Sequence, residues 1–246
     1  MFNFSGISNN SIAGKLLRSL LLLIPKNSVF SIKQGKLKRM KWITGSGNHG
    51  CWLGSYEFDK QQLFSEIITM GSTIYDIGAN VGFYTLLSSK LAGNDGMVYS
   101  FEPNPLNINY LNQHIKLNNL DNVKVFDYAV SDNVGFAFFE NDTNSSMGYL
   151  SNNGKLKVKT TSLDYLYEGN EIKKPDFIKI DVEGAELSVL KGAEKLLKEF
   201  SPILFLATHG EEIHINVIDF LENLGYKVEG LNEIDKMNTD ELIVYK

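Results

Sequence analysis

The sequence predicts an α/β domain built on a mostly parallel sheet with helices on both faces. Three observations carry this reading. From residue 72 onward, short apolar strand-like runs alternate with stretches of helical periodicity. Glycine-rich turns stand where a strand gives way to a helix. The last two β-like runs, 227–231 and 241–245, are separated only by a loop, which predicts an antiparallel pair at the sheet's edge.

The elements follow in order. Residues 1–12, rich in Asn and Ser, read as loosely ordered. The longest apolar run, Leu20-Leu21-Leu22-Leu23-Ile24, ends at Pro25. A spanning helix needs about 20 apolar residues, so the run reads as a short helix docked on the domain or a neighbour, with a membrane-surface helix as the alternative. It has the length of a signal-peptide core but no small-residue cleavage site after Pro25. Residues 28–33 and 40–44 are β-like and flank the turn segment Gly45-Ser46-Gly47-Asn48. Residues 59–69 place Leu63, Phe64, Ile67 and Ile68 at helical spacing, and Gly71 stops that helix. Strands are expected at 74–77, 97–101, 123–130, 177–181 and 202–207. Helices are expected at 82–90, 105–116, 185–199 and 213–224. Residues 134–166 break the alternation: runs 134–140 and 155–160 around the Asn/Ser/Gly-rich 141–154 predict an inserted hairpin, followed by a short helix near 163–167. Its polar tip suits a substrate lid. The domain expectation is therefore a basic extension over 1–70 packed on a domain over 71–246.

Composition narrows the class. A chain of 246 residues, 43% hydrophobic and 22% charged, is a globular protein. Collagen-like, coiled-coil and wholly disordered readings are excluded. The lone Cys51 excludes an internal disulfide and a multi-cysteine zinc site, and favours a reducing, cytoplasmic compartment. Beside Trp52 it reads as a packed core residue. Charge is uneven: residues 1–56 hold eight Lys/Arg and no Asp/Glu, leaving sixteen Lys/Arg against 29 Asp/Glu in the rest. Residues 11–43 accordingly suggest a basic element for peripheral contact with an anionic surface, such as the inner membrane face, or for a partner subunit, including a homo-oligomer.

The chemistry-bearing residues begin with Tyr75-Asp76-Ile77-Gly78-Ala79-Asn80-Val81-Gly82, a buried strand entering a glycine-rich turn that opens a helix. The spacing is neither the dinucleotide G-x-G-x-x-G nor a P-loop. Ser100-Phe101-Glu102-Pro103-Asn104 closes the next strand, with Glu102 twenty residues after Gly82. An acid at that place can accept both hydroxyls of a ribose, so turn and acid together point to an adenosine-containing ligand across the carboxyl ends of the strands. Lys179-Ile180-Asp181-Val182-Glu183-Gly184-Ala185-Glu186 again joins a strand to a helix. Here Glu186 reads as helix-dipole complement alone. Leu206-Ala207-Thr208-His209 puts a histidine at the end of a central strand, whereas His114 and His214 read as surface helix residues.

These blocks resemble the FkbM-type methyltransferases. "YDIGAN", "VGFYTLLSSKLAGNDGMVYSFEPNP", "AVSD" and "DFIKIDVEGAELSVLKGAE" stand in the family's order, with "WLGSYEFDKQQLF" upstream and "TTSLDYL" between. The resemblance runs from about residue 50 to about residue 210. It implies a class I methyltransferase (Rossmann-like) fold: a seven-stranded, mostly parallel sheet with an antiparallel last strand. It also implies S-adenosylmethionine as cofactor and methyl transfer, often to a hydroxyl of a sugar-like acceptor. Carried over, Asp76, Gly78, Ala79, Asn80 and Gly82 form the loop around the methionine moiety, and Phe83, Tyr84 and Thr85 begin the helix beneath it. Glu102 holds the ribose, Pro103 and Asn104 flank the adenine, and Tyr128 and Ala129 edge it. Asp181, Glu183 and His209 surround the acceptor hydroxyl, with His209 the leading base. The family often carries an acid where Ala207 stands, and this departure shifts weight to His209. No metal is expected at the site, though a divalent cation held by the same three residues could assist. Nucleic-acid amino methyltransferases usually carry Asn/Asp-Pro-Pro-Tyr/Phe/Trp after the fourth strand; Asp181-Val182-Glu183-Gly184 argues against a nucleic-acid acceptor. The alternatives are N-methylation of a small-molecule or protein nitrogen and, more remotely, a non-enzymatic cofactor-binding scaffold.

Overall fold

The computed structural model describes residues 21, 23–141, 148–150, 156–231 and 234–246, with 139–141 and 148–150 described at the backbone. Residues 1–20 and 22, including Leu20 and Leu22 of the leucine run and the first part of the basic element, lie outside the described residues, as does most of the inserted tip.

A seven-stranded sheet forms the frame. Its strands are β3 (Thr73–Ile77), β4 (Met97–Phe101), β5 (Val123–Phe126), β10 (Phe177–Ile180), β11 (Ile203–Ala207), β12 (Lys227–Gly230) and β13 (Glu241–Tyr245), in the order β12-β13-β11-β10-β3-β4-β5. β13 runs antiparallel to β11 and β12, and the pairs from β11 to β5 are parallel. The expected antiparallel pair is present, but β13 wedges between β11 and β12, so the penultimate strand, not the last, is the edge.

The pleat separates two cores. Tyr75, Ile77, Tyr99, Phe101, Ile178, Ile180, Leu204 and Leu206 face one side. There they pack on helices α5 (Leu163–Glu168), α6 (Glu186–Lys191), α7 (Glu194–Phe200) and α8 (Glu211–Asn223). Ile74, Val98, Phe177 and Phe205 face the other side, beneath α3 (Phe83–Ala92). The N-terminal segment completes that second layer. Its strands β1 (Val29–Ser31) and β2 (Lys41–Ile43) pair antiparallel, and helices α1 (His49–Leu53) and α2 (Phe58–Ile67) follow. Trp42, Trp52 and Phe64 are buried against Leu86, Leu87 and Phe205. Burying each such side chain contributes roughly 1.5–3 kcal/mol.

Helix α4 (Pro105–Leu117) carries the latch between the two parts. His114, expected at the surface, is fully buried. Its Nδ1 donates to the Val81 carbonyl at 2.8 Å, its Nε2 accepts the Ile43 N–H at 3.1 Å, and its ring stacks on Trp42 at 3.9 Å. Helical spacing had placed it outward; the N-terminal segment, distant in sequence, covers that face. His214 is corrected likewise: it is buried between the Thr208 hydroxyl and the Lys236 carbonyl, each at 2.7 Å, and holds the approach to β13 against the end of β11.

Two further expectations change. The run 123–130 is two strands. After β5 the chain leaves the main sheet, and β6 (Tyr128–Val130) pairs with β9 (Leu156–Thr161) of the insertion. With β7 (Gly135–Asn141) and β8 (Gly148–Leu150) these form a second sheet in the order β6-β9-β7-β8, one strand more on each side than a hairpin. The helix expected over 185–199 is broken between α6 and α7 at Gly192, whose backbone packs against the segment that leads from β6 into the insertion: a Cβ there would lie 2.0 Å from the Ser131 carbonyl oxygen.

Candidate active site

At the carboxyl ends of the parallel strands lies a cleft of about 330 Å³, within the range of small-ligand sites. Its lining includes Gly78, Ala79, Asn80, Phe83, Tyr84, Glu102, Pro103, Tyr128, Ala129, Asp181 and Glu183. Most of the residues singled out in sequence thus line one cleft, while Asp76, Gly82, Thr85, Asn104 and His209 stand outside its lining.

The loop between β3 and α3 is shaped by its backbone. Gly78 has φ +75, and a Cβ there would sit 1.9 Å from the Asp181 carbonyl oxygen. Asn80 at φ +51 is a strained position for a residue with a side chain. Glu102, 4% exposed, closes this end: Oε2 accepts the Asn80 N–H at 2.8 Å, and Oε1 accepts the Asn104 N–H at 2.9 Å and the Asn107 amide at 3.3 Å. Burial pushes its carboxyl upward, and these donors together with Lys179 oppose that. Two carboxylate oxygens offer about four acceptor sites and three are taken, so one remains for a single ribose hydroxyl rather than the expected two.

Several expected residues work from behind the wall. Asp76 is fully buried: its Oδ2 accepts the Thr85 hydroxyl at 2.6 Å, and Thr85 in turn meets Ser100 at 2.9 Å. Register explains the row, since Ser100, Asp76 and Lys179 lie opposite one another on β4, β3 and β10. Asn104 caps α4 through the Leu106 N–H, and Gly82 caps α3 at φ +97.

Lys179 joins the two ends of the cleft. Its buried Nζ donates to the Gly78 carbonyl at 3.0 Å and stands 3.4 Å from Asp76 and 3.6 Å from Asp181. Burial alone would depress the ammonium, but the carboxylates Asp76, Asp181 and Glu57 keep it raised and charged. Burial would raise Asp181, and Lys179, Lys60 and His209 instead hold it below the usual carboxylate range.

At the other end, Asp181, Glu183 and His209 meet. His209 Nε2 is 3.4 Å from Glu183 Oε2 and 3.9 Å from Asp181 Oδ1. Their ligand-type atoms all lie within 4.8 Å of one another. Glu183 adopts φ +52, followed by Gly184 at φ +101, which turns the chain sharply before α6. Sequence reasoning missed Glu186 here. It is fully buried, accepts the Gly184 N–H at 3.0 Å and lies 2.7 Å from His209 Nδ1. This hydrogen bond, with Glu183 and Asp181 adding and burial opposing, raises His209 to about 9.

The N-terminal segment supplies the remaining wall, also missed in sequence: Gly47, Asn48, Cys51 and Tyr56 line the cleft. Tyr56 packs edge-on against Phe83 at 5.0 Å, and its phenol bonds to Glu57. Burial, Glu57, Cys51 and Asp181 raise that phenol, so it keeps its proton. Glu57 is held at φ +43 and accepts the Tyr84 hydroxyl at 2.7 Å. No periodicity marks these residues; the one signal was the block containing Tyr56-Glu57.

Comparison with known proteins shows the family. Residues 76–228 match the methyltransferase FkbM domain. The chain is 31% identical over 192 residues to the hexuronic acid methyltransferase AglP of Haloferax volcanii, covering 75% of this chain and 74% of that protein. It is 26% identical over 147 residues to methyltransferase 1 of Beauveria bassiana, covering 50% and 59%. Among solved structures, the methyltransferase FkbM of Methylobacillus flagellatus superposes with a TM-score of 0.52 at 16% identity, which establishes likeness of fold. The match covers 80% of this chain, which spans about half the length of that structure (53%). The chain belongs to the FkbM family of S-adenosylmethionine-dependent methyltransferases.

Proposed function

We propose that the protein methylates a hydroxyl of a sugar, glycan or glycan-like small molecule. The observation that carries this reading is the joining, in one cleft, of the Gly78–Glu102 end with Asp181 and Glu183, against which His209 Nε2 stands at 3.9 and 3.4 Å from beyond the cleft's own lining. The similarity to a hexuronic acid methyltransferase supports the acceptor class. Gly78, Ala79 and Asn80 would hold the methionine part of the cofactor, Glu102 the ribose, and Pro103, Tyr128 and Ala129 the adenine. When bound, S-adenosylmethionine would supply an activated methyl group on a sulfonium, with a neutral thioether as the leaving group.

The chain's own contribution is alignment and proton removal. Holding nucleophile and methyl group in line removes much of the entropic barrier. A hydroxyl is a poor nucleophile until its proton leaves, and His209 Nε2 takes it, beside Asp181 and Glu183. Gly47, Asn48, Cys51 and Tyr56 supply the wall against which the acceptor would lie.

The test is tritium transfer from labelled cofactor to fractionated glycans, lipids and small molecules. Label in an alkali-stable methyl ether of a sugar is expected; label on an amine moves the reading to N-methylation, and no transfer at all leaves a cofactor-binding scaffold. With the acceptor in hand, His209→Ala should lower turnover by about 10²–10⁴ with cofactor affinity nearly unchanged. A larger loss in Asp181→Asn or Glu183→Gln would make a carboxylate the base, and activity lost to a chelator and restored by a divalent cation would add a metal. Recruitment by the basic stretch 11–43 is part of the same reading: salt-sensitive sedimentation with anionic liposomes is expected, and protein left in the supernatant at low salt removes the membrane version.

A further inference from the structure

We propose that Glu186 is the positioning residue of the methyl-transfer site: its buried carboxylate holds His209 Nδ1, so that Nε2 is the nitrogen presented to the acceptor, and it neutralises the imidazolium that the reaction leaves. This rests on the reading of His209 as the base.

An acid in the first turn of a helix commonly does no more than complement the dipole from a solvated position. Glu186 differs in burial and in partners. Its side chain is fully buried, and one oxygen, Oε1, accepts the Gly184 N–H at 3.0 Å while lying 2.7 Å from His209 Nδ1. Among the described residues, the other oxygen, Oε2, is buried with no hydrogen-bond partner. A buried carboxylate needs a compensating charge, and the imidazole is the group placed to supply it. An ionised carboxylate only accepts hydrogen bonds, so the proton of this contact sits on Nδ1. In neutral His209 the bare nitrogen is then Nε2, the atom that faces Glu183 and Asp181. The oxygen that fixes the ring also fixes the Gly184 amide, directly after Glu183. One atom therefore sets both the base and its neighbour.

The proton and charge balance follows. The acceptor O–H proton passes to Nε2 while Nδ1 keeps its own, as the acceptor O–CH₃ bond forms and the S–CH₃ bond breaks. The positive charge lost from the sulfonium reappears on His209. The charged groups facing that ring are Glu186 from α6 and Asp181 and Glu183 from the loop after β10; Lys179 stands against Asp181. With these neighbours His209 titrates at about 9, so the neutral base, and with it the rate, should increase as pH rises toward that value.

The test begins with the wild-type chain, labelled with ¹³C and ¹⁵N in histidine and titrated by NMR. A His209 transition near 9 and an Nδ1–H tautomer above it are expected; an Nε2–H tautomer overturns the proposal without any variant. Glu186→Gln should then move the transition down toward the ordinary histidine value. The alkaline rise in turnover should shift by the same amount, with cofactor affinity unchanged. Glu186→Asp, which keeps the charge but withdraws it by one methylene, should fall between the two. An unchanged transition and unchanged turnover in folded Glu186→Gln would sink the proposal. If His209→Ala instead keeps wild-type turnover, the base assignment fails, whatever the titration reports.

Discussion

The two ends of the cleft are built differently. The end with Gly78, Asn80 and Glu102 is made largely of backbone, and the carboxylate at its centre is 4% exposed with its oxygens engaged by Asn80, Asn104 and Asn107. The end with Asp181, Glu183 and His209 is made of charged side chains, each between about a quarter and a third exposed. Preformed backbone geometry suits a ligand that is the same in every turnover. Part-exposed titratable groups suit an acceptor that must enter, lose a proton and leave. Lys179, bound to Gly78 and facing Asp181, couples one end to the other.

The largest effect should come from breaking the rigid end. Gly78→Ala places a methyl group 1.9 Å from the Asp181 carbonyl oxygen at a positive φ, so loop and strand cannot both keep their places. Calorimetry should detect cofactor binding weakened by about a hundredfold or more; unchanged affinity would mean that the loop is soft.

His114 tests the joint on which both ends depend. Its folded pKa, about 4, lies below the unfolded 6.5 because the ring is buried neutral. The associated stability is fully present above about 6.5 and is lost as pH falls through 4. The full shift corresponds to about 3 kcal/mol at about 1.36 kcal/mol per unit. Urea unfolding at several pH values should show this slope in wild type and a shallower one in His114→Gln. Equal slopes would remove the latch.

Glu102→Ala removes charge-assisted contacts worth about 1.5–3 kcal/mol and should weaken the cofactor more than about tenfold without altering the His209 titration. A loss confined to turnover would move Glu102 out of the cofactor end. The smallest effect is expected from Tyr56→Phe on the N-terminal wall. Loss of the phenol's bond to Glu57, with the ring's packing on Phe83 kept, should raise the acceptor KM severalfold at constant cofactor Kd. A cofactor Kd that rises in step would place that wall at the cofactor end instead.

The rigid end was legible in sequence because its parts are local. Tyr75 to Asn104 is one strand–turn–helix–strand unit, and the turn's glycines and the strand's terminal acid are visible in a single window. The parallel sheet was legible for the same reason, since alternating apolar runs report their own burial. What the sequence determined was thus a sheet, a glycine-rich loop and a set of acids at strand ends. Tertiary structure alone decided the rest. It put β13 inside the sheet, split 123–130 at Asp127, and broke the helix at Gly192 where Ser131 crosses it. It buried His114 under a segment 71 residues away and brought Tyr56 to the wall opposite Asp181. It also turned Glu186 from a helix-end charge into the partner of His209, 23 residues on. Periodicity reports that a face is covered but not by what, and a hydrogen bond between distant residues leaves no trace in the local pattern of either.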